Sequence, residues 1–310
     1  MASTTTETKK PNGLVHALRW FIRLMGWTRA SYAIFGGFVL TCLLIVYIWW
    51  PLAMQYLAVL SRVRDWWRYI DWLLLGNFLA MSLLIMAGAD LKTDLVIIAV
   101  GFVGGLVIES WGTQTTLWFY YTQERPPLWI IPAWPIASLS IDRLVRLLRR
   151  FAPEDAANRL FPPLYWLVFL GFAALMIVFV WPTVTHSLTI MALILCGFLI
   201  LTPKDYRVAT LTFIAGAGLG YFLERWGTTR LCWTYYTREQ PPLFAVLAHG
   251  MAAVAFWRVN ALLWEIARNH VKPFLARRGL VPGESAAVTS LAGDSGSARQ
   301  TADTHTASRR

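Results

Sequence analysis

The stretch Glu109-Ser-Trp-Gly-Thr-Gln-Thr-Thr-Leu-Trp-Phe-Tyr-Tyr-Thr-Gln-Glu-Arg-Pro-Pro-Leu128 has a second copy in the same chain, at Glu224–Leu243. The two copies align without a gap, and 12 of their 20 positions are identical. Self-similarity at a fixed spacing is the signature of an internal repeat. The sequence therefore predicts a fold built from two copies of one unit.

The similarity continues outside this motif at the same offset of 115 residues (from 109 to 224). Further matched pairs are Trp66/Trp181, Asp90/Asp205, Lys92/Arg207, Gly101/Gly216, Gly105/Gly220 and Arg143/Arg258. We expect the repeats to cover about 66–150 and 181–265.

The composition indicates an integral membrane protein. The 310 residues are 57% hydrophobic and only 15% charged, and their mean hydropathy is +0.50. Soluble domains contain about 25% charged residues. The chain is also too rich in aromatic residues for a disordered protein, and three cysteines are too few for a disulfide scaffold.

Eight apolar stretches approach the ~20 residues that cross a bilayer as a helix. They are 31–50, 70–88, 94–111, 128–147, 163–181, 187–202, 206–224 and 243–263. Residues 14–29 mix apolar and basic side chains and predict an amphipathic helix in the interface. Because 187–202 is short and 53–67 is partly apolar, counts of seven or nine spans stay open.

The basic residues predict the orientation, since Lys and Arg accumulate in cytoplasmic loops. Seven of the 28 would lie outside, namely Arg62, Arg64, Arg68, Arg125, Arg225, Arg230 and Arg238, leaving 21 inside. Both termini are then cytoplasmic and both motifs extracytoplasmic, in a bacterial inner membrane. Because topology accounts for most of the +11 charge, no nucleic-acid partner is expected.

Three regions follow from this topology. Residues 1–30 form a cytoplasmic tail and the amphipathic helix, 31–265 form the transmembrane domain, and 266–310 form a basic and then disordered cytoplasmic tail. Equivalent points of the repeats are four helices apart. This even number predicts repeats of parallel orientation, related by an axis along the membrane normal. The predicted fold class is an all-α integral membrane protein with about eight transmembrane helices in two parallel-oriented repeats.

Each repeat has a stripe of two glycines and an acid along one helix face. The residues are Gly101, Gly105 and Glu109 in the first repeat and Gly216, Gly220 and Glu224 in the second. Spacing of four residues puts them on one side, where glycine allows a second helix to pack closely. The acids should face protein and are candidate catalytic groups. Equally, each could anchor its own loop through backbone amides or a tyrosine hydroxyl.

The loop after each acid supplies candidate ligand- or partner-binding residues. These are Trp111, Trp118, Tyr120, Tyr121, Glu124, Trp226, Trp233, Tyr235, Tyr236, Glu239 and, further on, His249. Such aromatic residues also form belts at membrane interfaces. The repeated spacing favours a packed loop, because a belt requires no fixed register.

One difference between the repeats concerns a residue that can titrate. His249 occupies the place of Trp134, and it could be a buried hydrogen-bonding residue or a proton-handling group. No metal site is predicted, because there is no HExxH motif and no cysteine pair at ligand spacing. No cofactor is predicted either.

The motif resembles the carotenoid-biosynthesis membrane protein family, which includes carotenoid hydratases. The matching residues are Glu109, Gly112, Thr113 or Thr115, Tyr120, Tyr121, Thr122, Pro127, Pro132 and Pro135. The resemblance implies a hydro-lyase-like reaction in which Glu109 or Glu224 protonates an isoprenoid double bond. Trp and Tyr faces would stabilise the resulting cation.

We expect the doubled motif to form a surface that binds lipid, a pigment or a protein, as in a structural or assembly subunit of a membrane complex. Its partners would be a membrane lipid, an isoprenoid or carotenoid, or other proteins of that complex. The alternatives are an isoprenoid-modifying enzyme and a transporter with its site between the repeats.

Overall fold

The computed structural model describes residues 13–152 and 154–271, together with 273, 274 and 278. The structure is 79% helical, so the prediction of an all-α protein is confirmed. The expected N-terminal tail before residue 13, and the expected disorder from residue 279 onward, lie outside the described residues.

Ten α-helices and two short strands make up most of the regular structure in the described ranges. The helices are α1 (Gly13–Leu24), α2 (Arg29–Ile48), α3 (Trp50–Arg62), α4 (Trp72–Met86), α5 (Leu91–Gln114), α6 (Ala133–Phe151), α7 (Glu154–Val180), α8 (Ser187–Leu201), α9 (Tyr206–Thr229) and α10 (Leu243–Ile266). The strands are β1 (Trp118–Tyr120) and β2 (Trp233–Tyr235). Single 3-10 turns cover Trp66–Tyr69 and Trp181–Thr183, and a π turn covers Ala267–Val271.

Four helical segments in the described ranges are long and apolar enough to cross a membrane. They are Arg29–Ile48, Leu91–Gln114, Arg159–Thr183 and Leu243–Val271. Two shorter apolar helices are Trp72–Met86 and Ser187–Leu201. These segments support assignment to the class of membrane proteins.

Helices in the two sequence copies begin and end at matching positions. Helices α4 and α8 are both 15 residues long, α5 and α9 are both 24 residues long, and each pair is offset by 115 residues (72 to 187, 91 to 206). Asp90 and Asp205 cap α5 and α9 by accepting hydrogen bonds from backbone amides of the first turn. Aspartate is favoured there because it satisfies amides that have no partner within the helix.

The start of α6 differs from the predicted start of that span. It begins at Ala133, after a turn, whereas α10 begins directly after Pro242 at Leu243. Pro132 and Pro135 explain the difference: proline lacks an amide proton and is tolerated only near a helix start. The second copy has Leu247 and Gly250 at these positions, so α10 runs through them.

Helix α6 packs against α4, α5 and α9, and α9 also contacts α7. An ion pair fixes α5 to α6, because Arg143 donates to Asp94 at 2.7 Å and both side chains are almost fully buried. In the second copy, Arg258 instead donates to the carbonyl of Thr202 at 2.7 Å, and Ala209 replaces the aspartate.

The chain forms two compact units, and the boundary between them in sequence lies within α10. The first ends at Val259, and the second begins at Asn260 and includes the π turn. Every residue of the candidate site described next belongs to the first unit.

Candidate functional site

The two motif loops join in a short antiparallel ladder. Trp118 pairs with Tyr235, Phe119 with Thr234, and Tyr120 with Trp233. The pairing is symmetric, because the counterparts of two paired residues also pair with each other: Trp118 pairs with Tyr235, and Trp233 pairs with Tyr120. Two flanking bonds repeat the symmetry: the amide of Tyr121 donates to the carbonyl of Cys232 and the amide of Tyr236 to that of Leu117, both at 3.0 Å.

The same backbone conformation brings each loop from its helix into the ladder. Thr116 and Leu231 have positive φ angles of 59° and 56°, and Gln123 and Arg238 have 61° and 59°. Residues other than glycine seldom adopt this backbone conformation. Each loop ends in a cis peptide bond before Pro126 or Pro241.

Glu109 is buried at the end of α5 and accepts three hydrogen bonds. Tyr120 donates its hydroxyl to Oε1 at 2.7 Å, Trp118 donates Nε1–H to Oε2 at 3.1 Å, and Trp134 of α6 donates Nε1–H to Oε1 at 3.2 Å. We call this group of four residues the Glu109 clamp. Its three donors are uncharged, and both carboxylate oxygens are used.

Glu224 forms the equivalent Glu224 clamp at the end of α9. Tyr235 donates to Oε1 at 2.8 Å and Trp233 donates Nε1–H to Oε2 at 3.0 Å. The third partner is His249 of α10, whose Nε2 lies 2.9 Å from Oε1. The clamps therefore differ in one donor, an indole in the first and an imidazole in the second.

Glycines make room for the rings of both clamps. A Cβ atom on Gly112 would lie 1.8 Å from the Trp118 ring, and one on Gly227 would lie 2.0 Å from the Trp233 ring. One turn before each acid, a Cβ atom on Gly105 or Gly220 would lie 2.4 Å from the third donor, Trp134 or His249. Gly101 and Gly216 face the backbones of α6 and α10, where an added Cβ would lie 3.0 Å from Pro135 Cα and 2.9 Å from the His249 carbonyl.

The clamps contact each other through their rings. Trp134 stacks on His249 with ring centroids 5.9 Å apart and planes at 22°. Across the ladder, Trp118 meets Tyr235 at 5.9 Å and Tyr120 meets Trp233 at 6.0 Å. The two buried carboxylates thus belong to one continuous aromatic cluster.

Burial also controls the ionisation of the tyrosines. Burial first, and then the negative charge of Glu109, raise the pKa of the Tyr120 hydroxyl well above its ordinary range. Burial and Glu224 do the same for the pKa of Tyr235. Both tyrosines therefore stay protonated and act as donors at neutral pH. Each hydroxyl therefore has a proton to donate to the carboxylate oxygen that it contacts.

Trp111 and Trp226 occupy equivalent positions but donate hydrogen bonds to different residues. Trp226 donates Nε1–H to Asp71 at 2.9 Å, and Arg230 forms an ion pair with the same carboxylate at 3.0 Å. Trp111 donates to the hydroxyl of Thr189 at 3.1 Å. Each indole therefore fixes its motif to the start of a shorter apolar helix, α4 for Trp226 and α8 for Trp111.

The remaining candidate residues lie away from the clamps. Tyr121, Glu124 and Glu239 are exposed, and Tyr121 contacts the ring of Trp49. Tyr236 is partly exposed and donates its hydroxyl to the carbonyl of Phe179 at 2.8 Å. The structure therefore brings together Glu109, Trp118 and Tyr120 with their counterparts and His249. It leaves Glu124 and Glu239 at the surface.

A cavity of about 1120 Å³ opens beside the clamps. Its wall is mostly apolar and comes from many helices, as shown by Phe38, Phe78, Phe169, Met176 and Ala252. All eight clamp residues line it: Glu109, Trp118, Tyr120, Trp134, Glu224, Trp233, Tyr235 and His249. Asp71, Arg68 and Arg230 also line the cavity.

Within the described ranges, no cluster of three or more His, Cys, Asp or Glu side chains could hold a metal ion. The chain matches no known protein family, no characterised protein and no solved structure.

Proposed function

We propose that this protein crosses the membrane eight times, as two parallel repeats with both motifs on the extracytoplasmic side and both termini in the cytoplasm. The matched lengths of α4 and α8 and of α5 and α9 support the repeats. The symmetric register of the ladder supports a twofold relation between them. The excess of cytoplasmic arginine and lysine supports the orientation, in a bacterial inner membrane.

The function that we propose is binding of an apolar ligand, a lipid or an isoprenoid, in the cavity beside the clamps. The cavity itself carries this proposal. Its volume of about 1120 Å³ exceeds the ~300–1,000 Å³ of most small-molecule sites. Burial of apolar surface in such a cavity contributes about 25 cal/mol per Å², which favours a long apolar molecule.

The clamps contribute hydrogen-bonded aromatic side chains to the wall of this cavity. Their tryptophan and tyrosine protons are directed to the two carboxylates, so these residues contribute mainly ring carbon to the cavity wall. Aromatic faces suit polyenes and prenyl chains, because each ring offers a large, flat apolar surface. An isoprenoid, including a carotenoid as the motif's resemblance implies, fits this chemistry.

A bulky side chain inside the cavity tests the proposal. Gly197 lines the cavity and has no atom within 4 Å of an added Cβ, so Gly197→Phe adds a bulky side chain at a position where its Cβ meets no neighbour. Gly171, in α7, has equally open surroundings but does not line the cavity. We expect mass spectrometry to find one apolar ligand retained by the wild type and by Gly171→Phe, and lost from Gly197→Phe.

Two results would contradict ligand binding. One is retention of bulk membrane lipids alone, in equal amounts by all three proteins. The other is a stoichiometric protein partner that co-purifies with an empty cavity and is lost when the loops around Trp118 and Trp233 are altered. That result would favour the structural-subunit alternative.

The His249–Glu224 pair favours a second candidate function, a hydratase-like reaction on an isoprenoid. An imidazole held by a carboxylate at 2.9 Å can supply and recover a proton at the cavity wall. We expect Glu224→Gln to abolish product formation in the host. If Glu109→Gln and Glu224→Gln, separately and together, leave the lipid products of the host unchanged in a folded protein, this reaction is excluded.

A further inference from the structure

The two clamps differ in the polar groups that they leave unused. In the Glu109 clamp, the three donor protons of Trp118, Tyr120 and Trp134 all go to the carboxylate. In the Glu224 clamp, His249 uses Nε2 for this contact, and its Nδ1 has no hydrogen-bond partner in the described part of the chain. An indole has no second nitrogen, so only the second clamp has such an atom.

This free nitrogen belongs to a side chain that a ligand can reach. His249 lines the cavity, and 22% of its side chain is exposed. Gly220 of α9 lies against its Cβ, Cγ and Cδ2 atoms, and Trp134 covers one ring face. Nδ1 and Cδ2 lie on opposite sides of Cγ, so Nδ1 is on the side of the ring away from Gly220.

The carboxylate determines which proton the imidazole carries. A carboxylate oxygen can only accept, so Nε2 of His249 donates its proton to Glu224 Oε1, and Nδ1 is the ring nitrogen that stays available to a ligand. Glu109, Tyr120 and Tyr235 are the other titratable groups of the clamps, and all three already take part in clamp hydrogen bonds. In the described ranges, Nδ1 is therefore the clamp nitrogen without a partner, and it can form a hydrogen bond with a ligand.

We propose that His249 Nδ1 binds the hydroxyl group of the apolar ligand, so that the cavity selects a long-chain alcohol over the corresponding hydrocarbon. The inference rests on the proposed binding function and adds the polar group that the ligand carries. Prenyl alcohols and straight-chain fatty alcohols share this chemistry. In this arrangement the Glu109 clamp is structural and the Glu224 clamp recognises the ligand.

Competition binding in nanodiscs tests the selection. The probe is radiolabelled geranylgeraniol, and the competitors are unlabelled geranylgeraniol, the matching hydrocarbon without the hydroxyl, and a straight-chain alcohol of the same length. One hydrogen bond of about 1.4 kcal/mol corresponds to about tenfold in affinity. We therefore expect geranylgeraniol to bind the wild type about tenfold more tightly than the hydrocarbon. The straight-chain alcohol shows whether the prenyl chain contributes as well.

The chain supplies its own matched variant. His249→Trp copies the first clamp and retains a ring N–H for Glu224, but removes Nδ1. We expect the ratio of the two affinities to fall to about one while the hydrocarbon still binds. Trp134→His is the reciprocal change in the first clamp, and we expect it to retain the preference for the alcohol.

Nitrogen-15 NMR tests the same contact in the wild-type protein, so it does not require a variant to bind the ligand. With histidine labelled, and the His249 signals assigned by their loss in His249→Trp, saturating geranylgeraniol should shift Nδ1 and leave Nε2 nearly unchanged. Equal binding of alcohol and hydrocarbon by the wild type, or an unchanged Nδ1 signal at saturation, overturns this inference and leaves the binding function standing. Failure of every probe to bind overturns both.

Discussion

Trp134 and His249 lie face to face, with ring centroids 5.9 Å apart, and each donates to a different buried carboxylate. They occupy equivalent positions in the two sequence copies, 25 residues after Glu109 and Glu224 respectively. The two acids are therefore linked by a direct contact between their third donors. A substitution in one clamp should therefore change the packing of the other.

The tyrosine hydroxyls are expected to hold the clamps together. Tyr120→Phe and Tyr235→Phe each remove one hydrogen bond to a buried carboxylate, which should lower the free energy of unfolding by about 1.5–3 kcal/mol. SDS titration in mixed micelles, followed by tryptophan fluorescence, measures this change. Tyr121→Phe is the matched control, because Tyr121 is exposed and should change stability by less than about 0.5 kcal/mol. Equal stability of all three variants would show that the hydroxyls do not stabilise the clamps.

Gly227 should tolerate no side chain. A Cβ atom there would lie 2.0 Å from the Trp233 ring, so Gly227→Ala must displace the indole and cost about 1–3 kcal/mol or more. Gly218→Ala, in the same helix α9, meets no atom within 4 Å and should stabilise the protein by about 0.5–1 kcal/mol. Opposite shifts of the two thermal midpoints are the expected result. Stabilisation by both changes would mean that helix propensity outweighs the contact with Trp233.

Removing one partner of the buried ion pair between Asp94 and Arg143 should strongly destabilise the protein. Asp94→Ala leaves an almost fully buried guanidinium without its fully buried acid partner, and we expect a loss of about 3 kcal/mol in unfolding free energy. Asp142→Ala removes the second, partly exposed partner and should cost less than about 1 kcal/mol. The combination of Asp94→Ala with Arg143→Met should cost less than the sum of the single changes. Additive costs would mean that the two groups do not interact.

Cys232 should react slowly with alkylating reagents in the folded protein. Burial, with a smaller contribution from the charge of Asp71, raises the pKa of this thiol to about 12, while the charge of Arg230 opposes the increase. At pH 9 only about 0.1% is then thiolate, which is the reactive form. In a background of Cys42→Ser and Cys196→Ser, we expect the rate to rise about tenfold per pH unit from pH 8 to pH 10.

An exposed neighbour gives the reference rate. Leu231→Cys, made with Cys232→Ser, places a thiol at a position that is 56% exposed, and it should react at least about 100-fold faster at pH 8. Asp71→Asn should accelerate alkylation of Cys232, because loss of the negative charge lowers the thiol pKa. A plateau in the rate below pH 10 would show that the pKa of Cys232 is near its ordinary value.

Periodicity made part of the site predictable. The spacing of Gly101, Gly105 and Glu109 indicates one face of a helix, and the structure buries that carboxylate to 3% exposure. One of the open roles for the acid included a bond from a tyrosine hydroxyl, and Tyr120 makes that bond. These contacts are local: each partner lies within about a dozen residues of the acid.

The third donors and the ladder were not predictable in this way. Trp134 belongs to a different helix, and its contact with Glu109 depends on how α6 packs on α5, which a single sequence does not specify. A usable signal was nevertheless present, because Trp134 and His249 both carry a ring N–H at equivalent positions. The strands are only three residues long, too short for an alternating pattern to distinguish them from a loop. The same limit applies to Asp94 and Arg143, which lie 49 residues apart.

The ladder between Trp118–Tyr120 and Trp233–Tyr235 has the geometry of a symmetric dimer interface contained within one chain. Each strand supplies the backbone partners that the other requires, so a protein with a single copy of the motif would have to associate with a second molecule to satisfy them. Covalent connection removes the dependence on concentration. It also frees the two halves to differ, and a tryptophan on one side opposite a histidine on the other is a difference that two identical subunits could not have.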